Sequence, residues 1–311
     1  MNYSNQQNRT EQNGTEWHQL SSTECIAWLA VSMTEAFAIV TLNIITIIVF
    51  TQNRSLRKRS IYLVINLAVA DMFVGGFAEV MDFIWIGIFC KFRQYNVAYN
   101  GIWDHVIANM QLLFQITSLT NITAISLERL HATFFPFKHR VIRKWIFGVI
   151  ITVVWVTAAL LTTVVRSWWF GISWKIYYTW HAFNIICLLV ILVSYASITV
   201  KIHCGTHPRH HGGASRERKL TKTLFIVTLV SLLMWLPYVI FILIFTGNTF
   251  ITSLLEYRLH YSLVVLFYAN SIVNPILYTF GMPEFKRALV SLFRRSVQQQ
   301  GQVQVFPLRS M

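Results

Sequence analysis

The first candidates for chemistry are ionisable side chains that lie within or at the edge of long apolar stretches. Asp71 sits in the middle of the run INLAVADMFVGG, and Glu128 and Arg129 follow the uncharged residues 107–127. A charge in the interior of a bilayer is costly, so such residues usually mark a functional site and have a partner. We therefore treat Asp71 as a functional candidate and the Glu128–Arg129 pair as a candidate moving part.

The uncharged run before Glu128 also carries neutral polar side chains. Its 21 residues would form a helix about 31 Å long, which matches the hydrocarbon thickness of a bilayer. The amide and hydroxyl groups in it should face protein or internal water: Asn109, Gln111, Gln115, Ser118, Thr120, Asn121 and Ser126. This helix is predicted to lie at the centre of a bundle.

Composition and hydropathy patterning identify a membrane protein. Of 311 residues, 55% are hydrophobic and only 12% are charged, about half the share in soluble domains. Seven long apolar spans are expected, at residues 25–50, 61–84, 103–129, 145–165, 178–202, 220–245 and 259–280. After them, PEFKRALVSLFRR places apolar residues on one helical face and predicts a helix lying on the inner leaflet. The predicted fold class is an all-α membrane protein, a seven-transmembrane helix bundle with a short amphipathic eighth helix.

The distribution of basic residues predicts the orientation in the membrane. Of the 26 Lys and Arg residues, 19 lie in the loops and tail expected on one side, and 6 lie on the other. The positive-inside rule then places the N-terminus outside the cell, and the basic surface faces anionic lipid and cytosolic proteins rather than nucleic acid. The predicted organisation is an extracellular tail at 1–24, a seven-helix domain at 25–282, an amphipathic helix at 283–295 and a disordered cytoplasmic tail at 296–311. Three glycosylation sequons cluster in the first tail, at Asn2, Asn8 and Asn13.

Several motifs occur in fixed order along the spans. They are Asn43, LAVAD ending at Asp71, Glu128-Arg129, Trp155, Tyr195, MWLP at 234–237 and NPILY at 274–278. In these residues the chain resembles the rhodopsin-like (class A) G-protein-coupled receptors, across all seven spans and roughly residues 25–295. The resemblance implies a plasma-membrane receptor and not an enzyme, whose partners are an extracellular ligand, a heterotrimeric G protein and the lipid bilayer. No cofactor is implied apart from an allosteric sodium ion.

The resemblance also implies roles for individual residues. A sodium and water pocket would be lined by Asp71, Ser118, Asn270, Ser271 and Asn274, and oxygen ligands around one carboxylate suit a hard cation. Arg129 would contact the G protein, with Pro136 and Phe137 docking beside it. At rest, Arg129 would pair with Glu217, which precedes Pro237 by about 30 Å of helix. Opening would swing the sixth span outward about Pro237 while Tyr195 and Tyr278 turn towards Arg129.

The expected ligand pocket lies at the outer ends of the spans. Its predicted lining is aromatic with neutral hydrogen-bonding groups, suited to an uncharged or amphipathic small molecule: Gln111, Gln115, Asn184, Trp235, Tyr238, Phe241, Tyr261 and Tyr268. Tyr268 stands where visual pigments carry the retinal lysine, and Gln111 where amine receptors carry an aspartate, so both ligand types are disfavoured. Glu79, Asp82 and Asp104 add an acidic rim that could meet a basic peptide or a divalent ion.

Departures from the family pattern concern the cysteines in particular. Asp104 replaces the usual third-span cysteine, and Cys187 replaces a proline in the fifth span. Cys25 and Cys90 both lie near the outer face, so a bridge between them is a candidate substitute.

Two other classes of membrane protein fit these residues less well. A channel or pump would carry charges along a continuous path, whereas Asp71 looks like the only acid deep in the core. An enzyme would need a nucleophile or metal cluster, and the ten histidines lie largely in loops. Within the family, an orphan or constitutively active receptor without a small-molecule agonist is the alternative.

Overall fold

The computed structural model describes residues 20–53, 56, 60–90, 102–167, 174–204, 212–245 and 254–303. Within these ranges some residues are described by their backbone alone: 79, 102–104, 167, 174–178, 202–204, 212–224, 227–228, 245, 254 and 295–303. The helices of the described part are α1 Ser22–Gln52, α2 Ile61–Phe89, α3 Ile102–Phe134, α4 Pro136–Val141, α5 Lys144–Ser167, α6 Trp174–Cys204, α7 Gly212–Phe245, α8 Leu254–Gly281 and α9 Pro283–Val303.

Length and composition let five of these helices cross a membrane. They are Ser22–Gln52, Ile61–Phe89, Lys144–Arg166, Thr179–Lys201 and Leu255–Gly281, and α7 adds the shorter apolar stretch Leu229–Ile244. α3 falls outside this group because of its many polar residues. Together α1, α2, α3, α5, α6, α7 and α8 form a seven-helix bundle.

α3 lies at the centre of this bundle, as its polar composition predicted. It contacts α2, α4, α5, α6 and α7, while α8 closes the ring by packing on α7, α1 and α2. Apolar side chains on the outside of α5 and α6, such as Val153, Leu160 and Val193, are exposed as expected for surfaces that face lipid.

Two features define the ends of the bundle. A disulfide joins Cys25 of α1 to Cys90 at the end of α2; we call this the outer end. Glu128 and Arg129 lie at the opposite end, which we call the inner end. At the outer end α1 begins with a capping box: the Ser21 side chain accepts from the Glu24 amide, and the Glu24 carboxylate accepts from the Ser21 amide.

The inner ends of several helices extend further than the hydropathy predicted. α7 begins at Gly212, so residues 212–219 of the expected loop are helical, and α9 continues to Val303, so residues 296–303 of the expected disordered tail are helical. Hydropathy marks only the part of a helix that needs an apolar environment, and polar extensions beyond it escape detection. α9 contacts α1 and α8, where its buried Phe285 packs against Phe50 with ring centroids 4.9 Å apart.

Candidate functional site

Asp71 forms the centre of a buried polar cluster. Its carboxylate is completely buried on α2. Oδ1 accepts hydrogen bonds from the hydroxyls of Ser118 at 2.6 Å and Ser271 at 3.0 Å, and Oδ2 accepts from the Asn274 amide at 2.8 Å. The cluster therefore joins α2, α3 and α8 through neutral donors, and its carboxylate has no cationic partner among the described side chains.

Further oxygen atoms surround this cluster. The Asn43 amide on α1 donates to the carbonyl of Ser271 at 3.0 Å, so a fourth helix takes part. The Oδ1 atoms of Asn43, Asn270 and Asn274 and the hydroxyl of Tyr278 are buried and accept or donate no hydrogen bond within the described part of the chain. Buried polar atoms are normally satisfied. Acceptor oxygens next to a carboxylate suit water or a hard cation, so the five predicted sodium ligands fit that ion.

A second buried carboxylate, Glu128, lies at the inner end of α3. Nε of Arg129 lies 2.5 Å from Oε2 of Glu128. This contact is an ion pair, because the two atoms do not form a hydrogen bond. Oε1 contacts the Ser60 hydroxyl and Nε2 of His139, each at 2.7 Å. Sequence reasoning missed Ser60 and His139, because their approach to Glu128 depends on the turn before α2 and on α4.

Arg129 itself is buried, and Glu128 is its carboxylate partner in the described structure. The predicted partner Glu217 belongs to α7, but its side chain lies outside the described residues, so the Arg129–Glu217 pair stays a prediction. Tyr195 is buried and packs edge-on against Phe225. Tyr278 packs against Phe50 and Phe285 at the α1–α9 junction.

The segment after Arg129 is helical rather than a plain turn. Pro136 starts the short helix α4, where its missing N–H is no loss. Phe137 follows with 81% of its surface exposed. A large exposed aromatic at the inner end is the feature expected of a docking residue.

An open cavity lies near the outer end, between α2, α3, α6, α7 and α8. Its empty space, counted together with its mouth, is about 580 Å³. Five of the predicted pocket residues line it: Gln111, Gln115, Asn184, Tyr238 and Tyr268. The remaining lining was not predicted as pocket: Asp82, Trp180, His181, Val239, His260, Val264 and Phe267.

Three predicted pocket residues lie outside the cavity lining, in side-chain packing. Trp235 stacks on Phe267 with centroids 6.0 Å apart, Phe241 lies against His260 at 5.9 Å, and Tyr261 packs on Tyr257 at 4.5 Å. All three are buried. A small rotation of a helix decides whether an aromatic faces a cavity or a neighbouring helix, and sequence spacing does not resolve it.

Three further predictions concern the glycosylation sites, the disulfide and the number of buried acids. Asn2, Asn8 and Asn13 lie outside the described residues. Cys25 and Cys90 form the disulfide of the outer end. The expectation that Asp71 is the only acid deep in the core is wrong, because Glu35 of α1 is also buried. Glu35 is the one acidic residue among residues 25–50, so the apolar composition of that span concealed it.

Comparison with known proteins defines the class. The family model for the 7 transmembrane receptor (rhodopsin family) matches residues 42–278. Opsin-VA of Rutilus rutilus is 24% identical, over 85% of this chain and 71% of the opsin. The substance-K receptor of Homo sapiens is 24% identical over 88% and 74%, and lysophosphatidic acid receptor 1-B of Xenopus laevis is 26% identical over 86% and 74%.

The fold and the matched residues define a multi-pass membrane receptor. The chain belongs to the rhodopsin-like family of seven-transmembrane receptors, the class A G-protein-coupled receptors. This family consists of receptors and not enzymes, which confirms the class predicted from the motifs. The names of the three relatives point to different stimuli, so the comparisons leave the ligand to be argued from the cavity.

Proposed function

We propose that this receptor lies in the plasma membrane with its N-terminus outside, binds an extracellular ligand in the outer cavity and activates a heterotrimeric G protein at its inner end. One observation carries the proposal: a single bundle holds an open polar and aromatic cavity at one end and a buried arginine–carboxylate pair at the other. The Asp71 cluster lies between them and ties α2, α3 and α8 together.

Activation is a shift between two states of the inner end. Pro237 removes one backbone hydrogen bond within α7, which makes this the point where the helix can bend. Outward movement of the inner half of α7 opens access to Arg129, and Tyr195 and Tyr278 turn towards it. A ligand drives this movement only by binding the open state more tightly than the closed state.

The Asp71 cluster holds a sodium ion in this proposal. Asp71, Ser118, Asn270, Ser271 and Asn274 would be its ligands. Sodium supplies a positive charge that neutralises the buried carboxylate. The chain's own residues keep the site closed to lipid and hold its oxygens on three helices, so a change in helix spacing changes the site.

Three inner-end residues take part in coupling. Glu217 pairs with Arg129 in the resting state, and Pro136 and Phe137 contact the G protein. Removing Glu217 takes away a carboxylate that holds α7 closed, so Glu217→Ala raises nucleotide exchange in the absence of ligand.

The test measures GTP analogue binding to a panel of chimeric Gα subunits in membranes that contain the receptor. Wild type, Glu217→Ala and the outer-end control Glu24→Ala are compared without ligand. Exchange that rises with Glu217→Ala alone supports the proposal, whereas no exchange above receptor-free membranes for any variant contradicts it. High exchange by the wild type would identify a constitutively active receptor.

A further inference from the structure

Three side-chain amides line the outer cavity: Gln111 and Gln115 of α3 and Asn184 of α6. In the described structure each makes one hydrogen bond through its nitrogen and none through its oxygen. We infer that the cavity binds an uncharged ligand in which a primary carboxamide is attached to an apolar aromatic body, and that these three amides recognise the carboxamide. This inference rests on the proposed receptor function and names the ligand class of the same cavity.

Hydrogen bonds hold the three amides in place on the cavity wall. The two glutamines lie about one helical turn apart on one face of α3. Their Nε2 atoms both donate to the hydroxyl oxygen of Tyr268 on α8, at 2.9 Å from Gln111 and 2.8 Å from Gln115. Nδ2 of Asn184 donates to the carbonyl of Trp180 at 2.7 Å. Each amide is left with a second N–H and an acceptor oxygen.

The oxygens of these amides are open to the cavity rather than enclosed by protein. Several asparagine oxygens of the described bundle are buried without a partner, such as Oδ1 of Asn270, but none of the three cavity amides has such an atom. An amide oxygen that is neither bonded in the described structure nor buried faces open space, and the open space beside these residues is the cavity. Buried acceptors normally bind a donor, so a ligand that fills the cavity has to supply N–H or O–H groups.

A carboxamide matches the hydrogen-bonding groups of these amides better than an ammonium group or an ester does. Each protein amide offers an acceptor oxygen next to an N–H donor, and a ligand amide can pair with both through two hydrogen bonds. An ammonium group only donates, so it leaves the protein N–H groups unpaired. An ester only accepts, so it leaves the protein oxygens unpaired. Because unpaired buried polar groups are costly, the carboxamide is the favoured ligand group.

Other polar residues of the lining contribute to the shape of the cavity. Asp82, His181, Tyr238 and Tyr268 each interact with other groups of the chain, so they are counted as wall and not as groups available to a ligand. His260 adds an imidazole, whose Nδ1 atom is buried without a partner in the described structure. The open amide oxygens are therefore the acceptors that we assign to the ligand.

Aromatic and branched side chains provide the surface for the apolar part of the ligand. Trp180, Tyr238 and Phe267 line the cavity together with Val239 and Val264. The rings of Tyr238 and Phe267 lie 5.1 Å apart. Such a wall buries the apolar body of a ligand, while a few polar groups fix its orientation. The sequence predicted an uncharged or amphipathic ligand, and the open amide oxygens specify its polar group.

The experiment uses the full-length receptor, purified and placed in lipid nanodiscs. Two carboxamides are tested, 3-phenylpropanamide and 1-naphthaleneacetamide, each against the corresponding methyl ester, which keeps the ring and the carbonyl but has no N–H. A further analogue, 3-phenylpropan-1-amine, carries an ammonium group instead. The rise of the unfolding midpoint with probe concentration gives an apparent Kd. We expect at least one carboxamide to bind about tenfold or more tightly than its ester, the scale of one or two net hydrogen bonds.

Variants assign this preference to the cavity amides. Gln111→Met, Gln115→Met and Asn184→Leu keep the side-chain size but remove the amide, and each lowers the ratio of carboxamide to ester affinity by about threefold or more. Asn109→Leu, which removes an amide of α3 outside the cavity lining, leaves the ratio unchanged. The ratio compares two probes on the same variant, so a partial loss of folded receptor cancels. The inference is overturned if neither carboxamide binds, if the esters or the amine bind as tightly, or if all three cavity variants keep the wild-type ratio.

The exchange assay with Glu217→Ala runs in parallel and needs no cavity ligand. If that variant activates a Gα chimera but no carboxamide binds through the cavity amides, only the ligand class is wrong. If the carboxamides bind but no variant drives exchange, the signalling function fails and the carboxamide site stands.

Discussion

Asp71 and Glu128 are both buried carboxylates within the bundle, but their partners differ. The described partners of Asp71 are neutral hydroxyl and amide donors on α3 and α8. Glu128 contacts a guanidinium, an imidazole and a hydroxyl. Among the described residues, Asp71 thus has no cationic partner, whereas Glu128 has one in the adjacent Arg129.

This difference separates two ways of keeping a charge inside a membrane protein. A buried carboxylate without a fixed cation can accept an exchangeable one, so its surroundings respond to the ions and water around it. A buried ion pair is closed to such exchange, and opening it means exposing or re-pairing both charges. We therefore assign ion sensitivity to the Asp71 cluster and the conformational change to the Glu128–Arg129 pair.

The largest expected contrast comes from neutralising each acid in turn. Glu128→Gln leaves Arg129 buried without its described carboxylate partner, so we expect a loss of about 3 kcal/mol in the free energy of unfolding. Asp71→Asn breaks no ion pair among the described side chains, and its effect in sodium-free buffer should be much smaller. Unfolding of both variants in nanodiscs measures the difference. Equal destabilisation would show that the two acids are held alike.

The packing behind Asp71 is tested one helical turn further along α2. A Cβ at Gly75 would lie 2.9 Å from Cβ of Ile39 on α1, whereas a Cβ at Gly76 would meet nothing within 4 Å. Gly75→Ala should therefore cost about 2 kcal/mol of stability through overpacking. Gly76→Ala is the matched control. If the two variants unfold at the same midpoint, α1 does not constrain this face of α2.

Removing the contact between His139 and Glu128 should lower the free energy of unfolding by a smaller amount. His139→Ala removes one of the groups that hold the carboxylate, at a cost of about 1 kcal/mol. Because the ion pair is then less firmly held, ligand-independent nucleotide exchange should rise. Exposed Arg143→Ala, in the link between α4 and α5, serves as the control. If nucleotide exchange by His139→Ala stays at the wild-type level, α4 does not stabilise the resting state.

The smallest effect on stability is expected at Phe137. Its side chain is 81% exposed, so Phe137→Ala should change the free energy of unfolding by less than about 0.5 kcal/mol. Coupling to the G protein should nevertheless fall, since an exposed apolar contact is lost. Val141→Ala, an exposed residue of the same helix, is the control. Unchanged exchange with Phe137→Ala would exclude α4 as a docking element.

The sequence predicted the fold well because membrane helices obey a simple rule. Long apolar segments of the sequence predicted the membrane-spanning helices, and the polar residues of α3 predicted its central position. Asp71 was placed by the same reasoning, since an acid in an apolar run must face protein. The helical extensions that begin at Gly212 and end at Val303 are polar in sequence, and this rule does not predict polar helices.

Side-chain partners were predicted less well, because they depend on helix rotation and on loops. Ser60 and His139 reach Glu128 only once the turn before α2 and helix α4 have formed. Trp235, Phe241 and Tyr261 have the composition of pocket residues but face neighbouring rings. Asp82 was expected on the rim and instead lines the cavity.

The most direct test is receptor-catalysed nucleotide exchange in nanodiscs, measured without ligand in sodium and in potassium at equal ionic strength. Wild type, Asp71→Asn and Glu217→Ala are compared on the chimeric Gα panel. We predict that sodium suppresses exchange by the wild type and by Glu217→Ala, and that Asp71→Asn abolishes this suppression. Exchange that is absent for every variant, or suppressed by sodium equally in Asp71→Asn, would contradict the account.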